Sequence, residues 1–497
     1  MDGLYGEKFG VRSPEMGSHY TAALEFLHLH RYWVALILAI SVIGSSKVYS
    51  SVSKKLRIYG ANFPPVVKLT NDQIFNDPIN SYNNAIREHG DIIAVKKKDK
   101  MEIMVSEKYA QRVLTDEKNF SFEHGVADAM NMEFLMNMTQ GRVFKTMADV
   151  TSGLLGKRMD IVVKQVSSIF FDRAEEITND PKSQALDLFE YTQSTVSDAM
   201  VVLLLGKKFL NPAYSHAVKM AANDVAELGG IFQNRSYFAR TFPALWRFTT
   251  ALHSGDWGVC LFMFMGRPIW RETNRLLKDP QTYVEEKEIT LLLLLVRKFA
   301  TPERTLKLAD RGMIYLVLMS TMFASVHQVA STMVWVLCEL ALRPQDQEEI
   351  YAEIKAVHTD SFLREVMRTK GDTFSTVRMA MNDVPLGKYV IPKGYTVHPN
   401  AALAHNAPEN AGDNPETFDG KRWIGGKPAS MAGPGHLAFG LGDGPAQAAT
   451  LQLLMMVFSI LVNSKVELVN NKYEIVDKLM IASAPPEAVF KLTKRPE

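Results

Sequence analysis

The stretch SFLREVMRTKGDTF at residues 361–374 sets Glu365 three residues before Arg368. On a helix that spacing is one turn, so both side chains share a face and can form a charge-assisted pair. A glutamate and arginine so spaced are a weak signal alone. They gain meaning from their downstream neighbours. KYVIPKGYTV (388–397) reads as short strands, NPETFDGKRW (414–423) supplies a second guanidinium in Arg422, and the glycine-rich HLAFGLGDGP (436–445) comes next. Arg422 can complete a buried Glu-Arg-Arg cluster just ahead of a loop whose glycines permit a sharp turn.

Outside these pieces, 497 residues with 47% hydrophobic and 22% charged content are enough for a large core. A net charge of +2 from 56 basic and 54 acidic residues leaves no broad positive surface, which excludes nucleic acid as a partner. The only cysteines, Cys260 and Cys338, sit in the apolar stretches WGVCLFMF and VWVLCELA, so no disulfide framework is expected. Neither lies near the glycine-rich loop.

The run from Tyr32 to Ser46, extended past Lys47 to Val52, is long and apolar enough to cross a bilayer. Trp33 and Tyr49 suit its interfaces, and Lys47 can snorkel. Lys54, Lys55 and Arg57 follow it and place the main body on the cytoplasmic side. Residues 1–57 are therefore read as an N-terminal segment with a single membrane span at about 32–52. The Pro-Pro elbow in NFPPVV (62–67) then opens one helix-rich domain with small sheets over 62–497.

Helical periodicity is clearest from Arg311 to Leu342, where Met322, Val326, Val329, Met333 and Val336 make one apolar stripe. Beside it run Ser320, Thr321, Ala324, Ser325, Gln328, Ser331 and Thr332, with His327 at the margin. Polar groups on a buried helix need partners. The hydroxyls are expected to bond back to their own helix. His327 and Gln328 are read either as satisfied core residues or as pocket lining. Five methionines within 127–147 suit an adaptable apolar wall or ordinary core filling.

Taken together, the membrane run, the Pro-Pro elbow, the long helix followed by LCELALRPQDQEEIYAEI, the Glu-x-x-Arg helix and the glycine-rich loop resemble the cytochrome P-450 superfamily. The likeness is to its membrane-anchored members in fungal secondary metabolism. It implies a mainly α fold with small β-sheets, an endoplasmic reticulum membrane location, and Glu365, Arg368 and Arg422 as a structural lock.

The departures carry as much information. The family's loop is F-G-x-G-x-R-x-C-x-G, in which arginine pairs a haem propionate and the cysteine thiolate ligates iron. Here Phe439, Gly440 and Gly442 remain, while Gly444 stands at the arginine position, Ala446 at the cysteine position and Ala448 at the last glycine. On the long helix the family's acid-threonine pair, which delivers protons to dioxygen, is matched by His327 and Gln328. The resemblance with these replacements implies that no cofactor is used and no metal is held; haem without thiolate ligation is the alternative.

The expected function is accordingly a non-oxidative enzyme on this fold, an intramolecular cyclase or pericyclase of Diels-Alder type acting on a hydrophobic terpenoid or polyketide. Gln328 and His327 are its candidate catalytic donors. No carboxylate-rich metal motif, nucleophile elbow or phosphate loop is present, which argues against ionisation-driven cyclisation and hydrolysis. Two alternatives stand beside it: a non-catalytic scaffold for a functional monooxygenase or other pathway enzymes, and an atypical haem-binding monooxygenase or isomerase.

Overall fold

The computed structural model describes residues 62–496 apart from 98–99, 131, 156–157, 229–230, 232–236, 280–288, 354–355 and 442–444. The expected membrane span at 32–52 lies outside the described residues, and so do the side chains of 445–448. The chain from Pro64 to Glu497 forms one compact unit.

Its main sheet grows from two neighbouring strands with continuous buried runs at 92–95 and 103–105. β1 (Val66–Val67) pairs parallel with β2 (Ile92–Lys97), and β2 pairs antiparallel with β3 (Lys100–Val105). β4 (Phe120–Ser121), β5 (Arg378–Ala380) and β8 (Thr396–Pro399) complete a six-stranded sheet in the order β1-β2-β3-β8-β5-β4. The register Ile103 opposite Val397 joins two distant parts of the chain across that sheet. β6 (Val384–Leu386) with β7 (Tyr389–Ile391), and β9 (Ser464–Glu474) with β10 (Glu487–Lys494), form two antiparallel pairs.

Helices make up most of the rest. The principal ones are α1 (Phe122–Ala129), α2 (Arg142–Leu155), α3 (Met159–Asn179), α4 (Leu188–Leu205), α5 (Pro212–Leu228), α6 (Pro243–Lys278), α7 (Leu291–Phe299), α8 (Leu308–Ala341), α9 (Pro344–Tyr351), α10 (Val357–Thr369) and α11 (Pro445–Asn463). Capping is visible where the sequence provides it: Asp187 accepts from the Phe189 amide before α4, and Thr290 accepts from the Leu293 amide before α7.

The core is organised around α8, which packs against α4, α5, α2 and α11. Met322, Val326, Val329, Met333 and Val336 are all buried, as their periodicity requires. Among the described residues α8 is the one helix long and apolar enough to cross a membrane; its extensive burial in protein makes it a core helix instead. Together with the β-sheet it positions the site.

Candidate functional site

Near its middle, α8 does not close against protein on every side. Leu316, Ser320, Gln328 and Thr332 are half-exposed and Ala324 is exposed, at successive intervals of four residues. Neighbours so spaced are offset by about 40° around the helix, so the row is a slanting stripe in which Ser320, Ala324 and Gln328 lie close together. An exposed small side chain in the middle of a helix with a buried apolar face leaves an opening along that stripe, the candidate wall of a ligand chamber.

An adjacent face of α8 is closed by residues 481–483. Trp335 Nε1 donates to the Ile481 carbonyl at 2.8 Å, Ser331 Oγ to the Ala482 carbonyl at 2.7 Å, and His327 Nε2 lies 2.9 Å from the Ser483 carbonyl. Positions 327, 331 and 335 are one turn apart, so consecutive carbonyls of the segment each meet one donor. A carbonyl can only accept, which places the His327 proton on Nε2. Burial lowers the pKa of this imidazole, and the Ser483 carbonyl opposes the shift. It is the neutral form at physiological pH. Phe189 of α4 packs edge-on to the ring, with centroids 5.7 Å apart.

These contacts divide the polar residues of α8 by partner. Thr321 and Thr332 bond back to the carbonyls of Val317 and Gln328, as their spacing predicts. Ser331 instead reaches across to another element. Gln328 belongs to both surroundings: it is half-exposed on the chamber stripe, and its Nε2 lies 3.4 Å from Ser483 Oγ.

The far side of the 481–483 segment is held by Asp372, just beyond α10. Its Oδ1 accepts from the amides of Ala482 at 2.8 Å and Ser483 at 3.3 Å, and its Oδ2 accepts from Ser483 Oγ at 2.8 Å. Burial pushes the carboxyl pKa up to about 6, against the opposing effect of the Ser483 hydrogen bond. No sequence pattern singles out Asp372, because its partner is more than a hundred residues away. Only the fold joins the two.

Glu365, Arg368 and Arg422 come together as one cluster. Arg368 grips Glu365 with two bonds of 2.7 and 2.8 Å, and Arg422 Nε reaches the same carboxylate at 3.2 Å. The Asp419 amide and Trp423 Nε1 supply further donors at 3.0 Å each. Burial by itself would raise the Glu365 pKa; Arg368 and the other donors hold it below its ordinary value. Trp423 is a member that spacing alone does not reveal, although it directly follows Arg422 in the KRW triplet.

The glycine-rich loop is fixed at its entrance. The Leu437 amide donates to His405 Nε2 at 2.9 Å, while Ser375 Oγ donates to the Leu437 carbonyl at 3.0 Å. Gly440 has φ +72°, and a Cβ there would come within 2.8 Å of Thr376 Oγ1, so both conformation and space favour glycine. His436 is buried, with its Nε2 at 3.1 Å from the Ala429 carbonyl and its ring stacked on His405. Gly444 falls outside the described residues. Ala446 is in the first turn of α11, among the residues whose side chains are not described.

The family model described as Cytochrome P450 matches residues 64–477. A beta-amyrin 11-oxidase from Glycyrrhiza uralensis is 24% identical over 422 residues, covering 79% of this chain and 80% of that protein. A lanosterol 14-alpha demethylase from Candida tropicalis is 30% identical over 129 residues, which span 22% of this chain and 24% of the demethylase. Among solved structures, retinoic acid bound cyanobacterial CYP120A1 superposes with a TM-score of 0.62 at 15% identity, covering 88% of this chain and all of that one. The likeness in structure is one of fold.

These matches overturn the expectation that no cofactor is used. The family consists of haem-thiolate enzymes, and the relatives are by name an oxidase and a demethylase. The haem is therefore the group that this fold implies. Arg378 fits its carboxylates. The buried guanidinium bonds to Thr376 Oγ1 and to the carbonyls of Thr376, Val377 and Leu114, with no carboxylate among the described residues at ion-pair distance. Burial lowers its pKa to about 10, with only longer-range attraction from Glu123 and Glu117 in opposition. An anion placed beside it would remove that penalty.

The family's cysteine position falls within 442–448, where the sequence GDGPAQA holds no sulfur and the side chains are outside the described ones. Cys338 does not supply it. It lies fourteen residues along α8 from Ala324, about 21 Å at the helical rise. Burial also pushes its thiol up, so it is not a thiolate.

Proposed function

Because the chain belongs to the cytochrome P450 family, we propose that it is an enzyme acting on a hydrophobic small molecule of terpenoid or polyketide type, folding it against the open stripe of α8 and promoting ring closure within it. A pericyclic closure of Diels-Alder kind moves electrons only within the substrate. It consumes no oxidant and releases no atoms. Catalysis then consists of holding the reacting ends in a near-attack arrangement.

The observation that carries this reading is the division of labour on α8. His327, Ser331 and Trp335 are occupied by backbone carbonyls, and the face left open presents Ser320, Ala324 and Gln328. Such a wall offers shape, one amide and hydroxyls, with no carboxylic acid on the stripe for handling dioxygen. Gln328 is the donor in this reading, and a hydrogen bond to a carbonyl on the reacting alkene is worth about 1–3 kcal/mol in a site that excludes water. His327 positions the 481–483 segment. The protein would work at the endoplasmic reticulum membrane, tethered by the 32–52 span with its domain facing the cytoplasm, beside other enzymes of its pathway.

A second reading, oxidation of the substrate through the family haem, is favoured by the likeness to beta-amyrin 11-oxidase over most of the chain. One experiment separates the two. Full-length protein in lipid nanodiscs is incubated with polyene enones and aldehydes, with and without NADPH and a reductase. Cyclised isomers of unchanged mass, formed without reductant, are expected. Products heavier by oxygen that require reductant would favour oxidation, and no product under either condition would favour a scaffold.

A further inference from the structure

A polar row crosses from the chamber wall to a buried acid. Gln328 Nε2 is 3.4 Å from Ser483 Oγ, and Ser483 Oγ is 2.8 Å from Asp372 Oδ2. An ionised carboxylate only accepts, so the Ser483 proton points at Asp372 and its oxygen accepts from the amide. The row has one polarity, running from amide to hydroxyl to carboxylate. Two backbone amides, of Ala482 and Ser483, fix the carboxylate at its end. Asp477 is a like-charged neighbour of Asp372, and His327 on α8 is neutral and held by the Ser483 carbonyl. With its NH₂ end turned toward Ser483, the half-exposed Gln328 has a remaining N–H and its carbonyl to offer the chamber.

We propose that Asp372 and Ser483 are positioning residues that orient the Gln328 amide at the chamber wall, and that this amide recognises an oxygen function, a ketone or aldehyde carbonyl, on an otherwise hydrophobic substrate. This rests on the chamber of the ring-closing function and narrows its substrate class to oxygenated skeletons. A hydrocarbon of the same shape fills the chamber without meeting the amide, leaving that polar group unpaired.

The test is a binding measurement on the full-length protein, independent of turnover. Nootkatone, a sesquiterpene ketone, and valencene, the hydrocarbon of the same skeleton, are titrated against tryptophan fluorescence. The wild type is expected to bind the ketone about tenfold more tightly than the hydrocarbon, the size of one good hydrogen bond. Gln328→Leu, Ser483→Ala and Asp372→Asn should each bring that ratio close to one, with valencene affinity unchanged in Ser483→Ala and Asp372→Asn and raised in Gln328→Leu, where no amide is left unpaired, and combining Asp372→Asn with Gln328→Leu should add nothing further.

A merely structural role for Asp372 would weaken both probes alike and leave the ratio intact. That result overturns the proposal, as does a wild-type ratio near one or failure of both probes to bind. If Asp372→Asn does not fold, Ser483→Ala decides. A ratio that responds as expected in a protein that closes no ring would sink the cyclase reading and leave this one standing.

Discussion

His327 Nε2 lies 2.9 Å from the carbonyl oxygen of Ser483, and this contact commits one polar residue of the central helix to backbone. An imidazole committed to a backbone carbonyl is not available to shuttle protons. It is the first rung of a ladder that Ser331 and Trp335 continue, and the ladder leaves Gln328 as the residue at the boundary between packed protein and open space.

That boundary predicts the outcome of filling the space. Ala324→Phe places a ring on the exposed stripe, where the wall is open, so thermal stability should change by less than about 1 kcal/mol. Affinity for hydrophobic ligands should fall at least about tenfold. Calorimetry and a fluorescence titration on one preparation check both, and a stability loss of about 1–3 kcal/mol, the cost of overpacking, would show that the chamber is not there.

Glu365 is fully buried and receives bonds from Arg368, Arg422, Trp423 and the Asp419 amide. Glu365→Ala would remove the carboxylate that the buried Arg368 and Arg422 share, leaving both charges on neutral oxygens, at a cost of about 3–5 kcal/mol. Low soluble yield and a large drop in Tm are expected. Wild-type yield and Tm in this variant would mean the cluster contributes little.

Stability should fall in mild acid. Burial pushes His398 and His405 down to about 4, and His436 well below its ordinary 6.5. His405 must also stay unprotonated on Nε2 to accept from the Leu437 amide. In the unfolded chain these groups take up protons near 6.5 while the folded protein resists, so the stability present above 6.5 is lost as pH falls toward 4. Asp372, raised to about 6 from 3.8, and Asp360, also raised by burial, act in the opposite sense over that lower range, two groups against four histidines once the lowered His327 is included. Tm should drop by roughly 5 °C between pH 7 and pH 5 and less in His405→Gln; a flat profile would contradict the assignment.

Arg378 offers a direct test of the anion site. Arg378→Met should reduce affinity for added haemin about 10- to 100-fold, the loss of one charge-assisted contact, as followed by absorbance titration. Equal affinity in the variant and the wild type would place the haem carboxylates elsewhere.

Much of the architecture was legible in the residues. The apolar stripe of α8, the one-turn spacing of Glu365 and Arg368, the second arginine in KRW and the positive-φ glycine at 440 are local patterns, each set by helix geometry or by the conformational range of one residue. The same order of pieces identified the family. The partners of the polar residues were not legible. His327 and Gln328 read equally well as satisfied core and as pocket lining, because sequence spacing places a side chain on a face without saying what covers that face.

Tertiary structure decided this by bringing residues 481–483 against α8 and Asp372 against the same segment, a juxtaposition that no periodicity encodes. The expected absence of a cofactor was corrected by the family matches, with Arg378 as the buried cation that the loop pattern alone did not reveal. By itself the sequence determined which helix forms the wall, the residues of the Glu-Arg-Arg lock, and where the loop turns. Only the fold decided which of the wall's polar groups bond to backbone and which stay half-exposed, because burial and hydrogen-bond partnership are properties of neighbours in space.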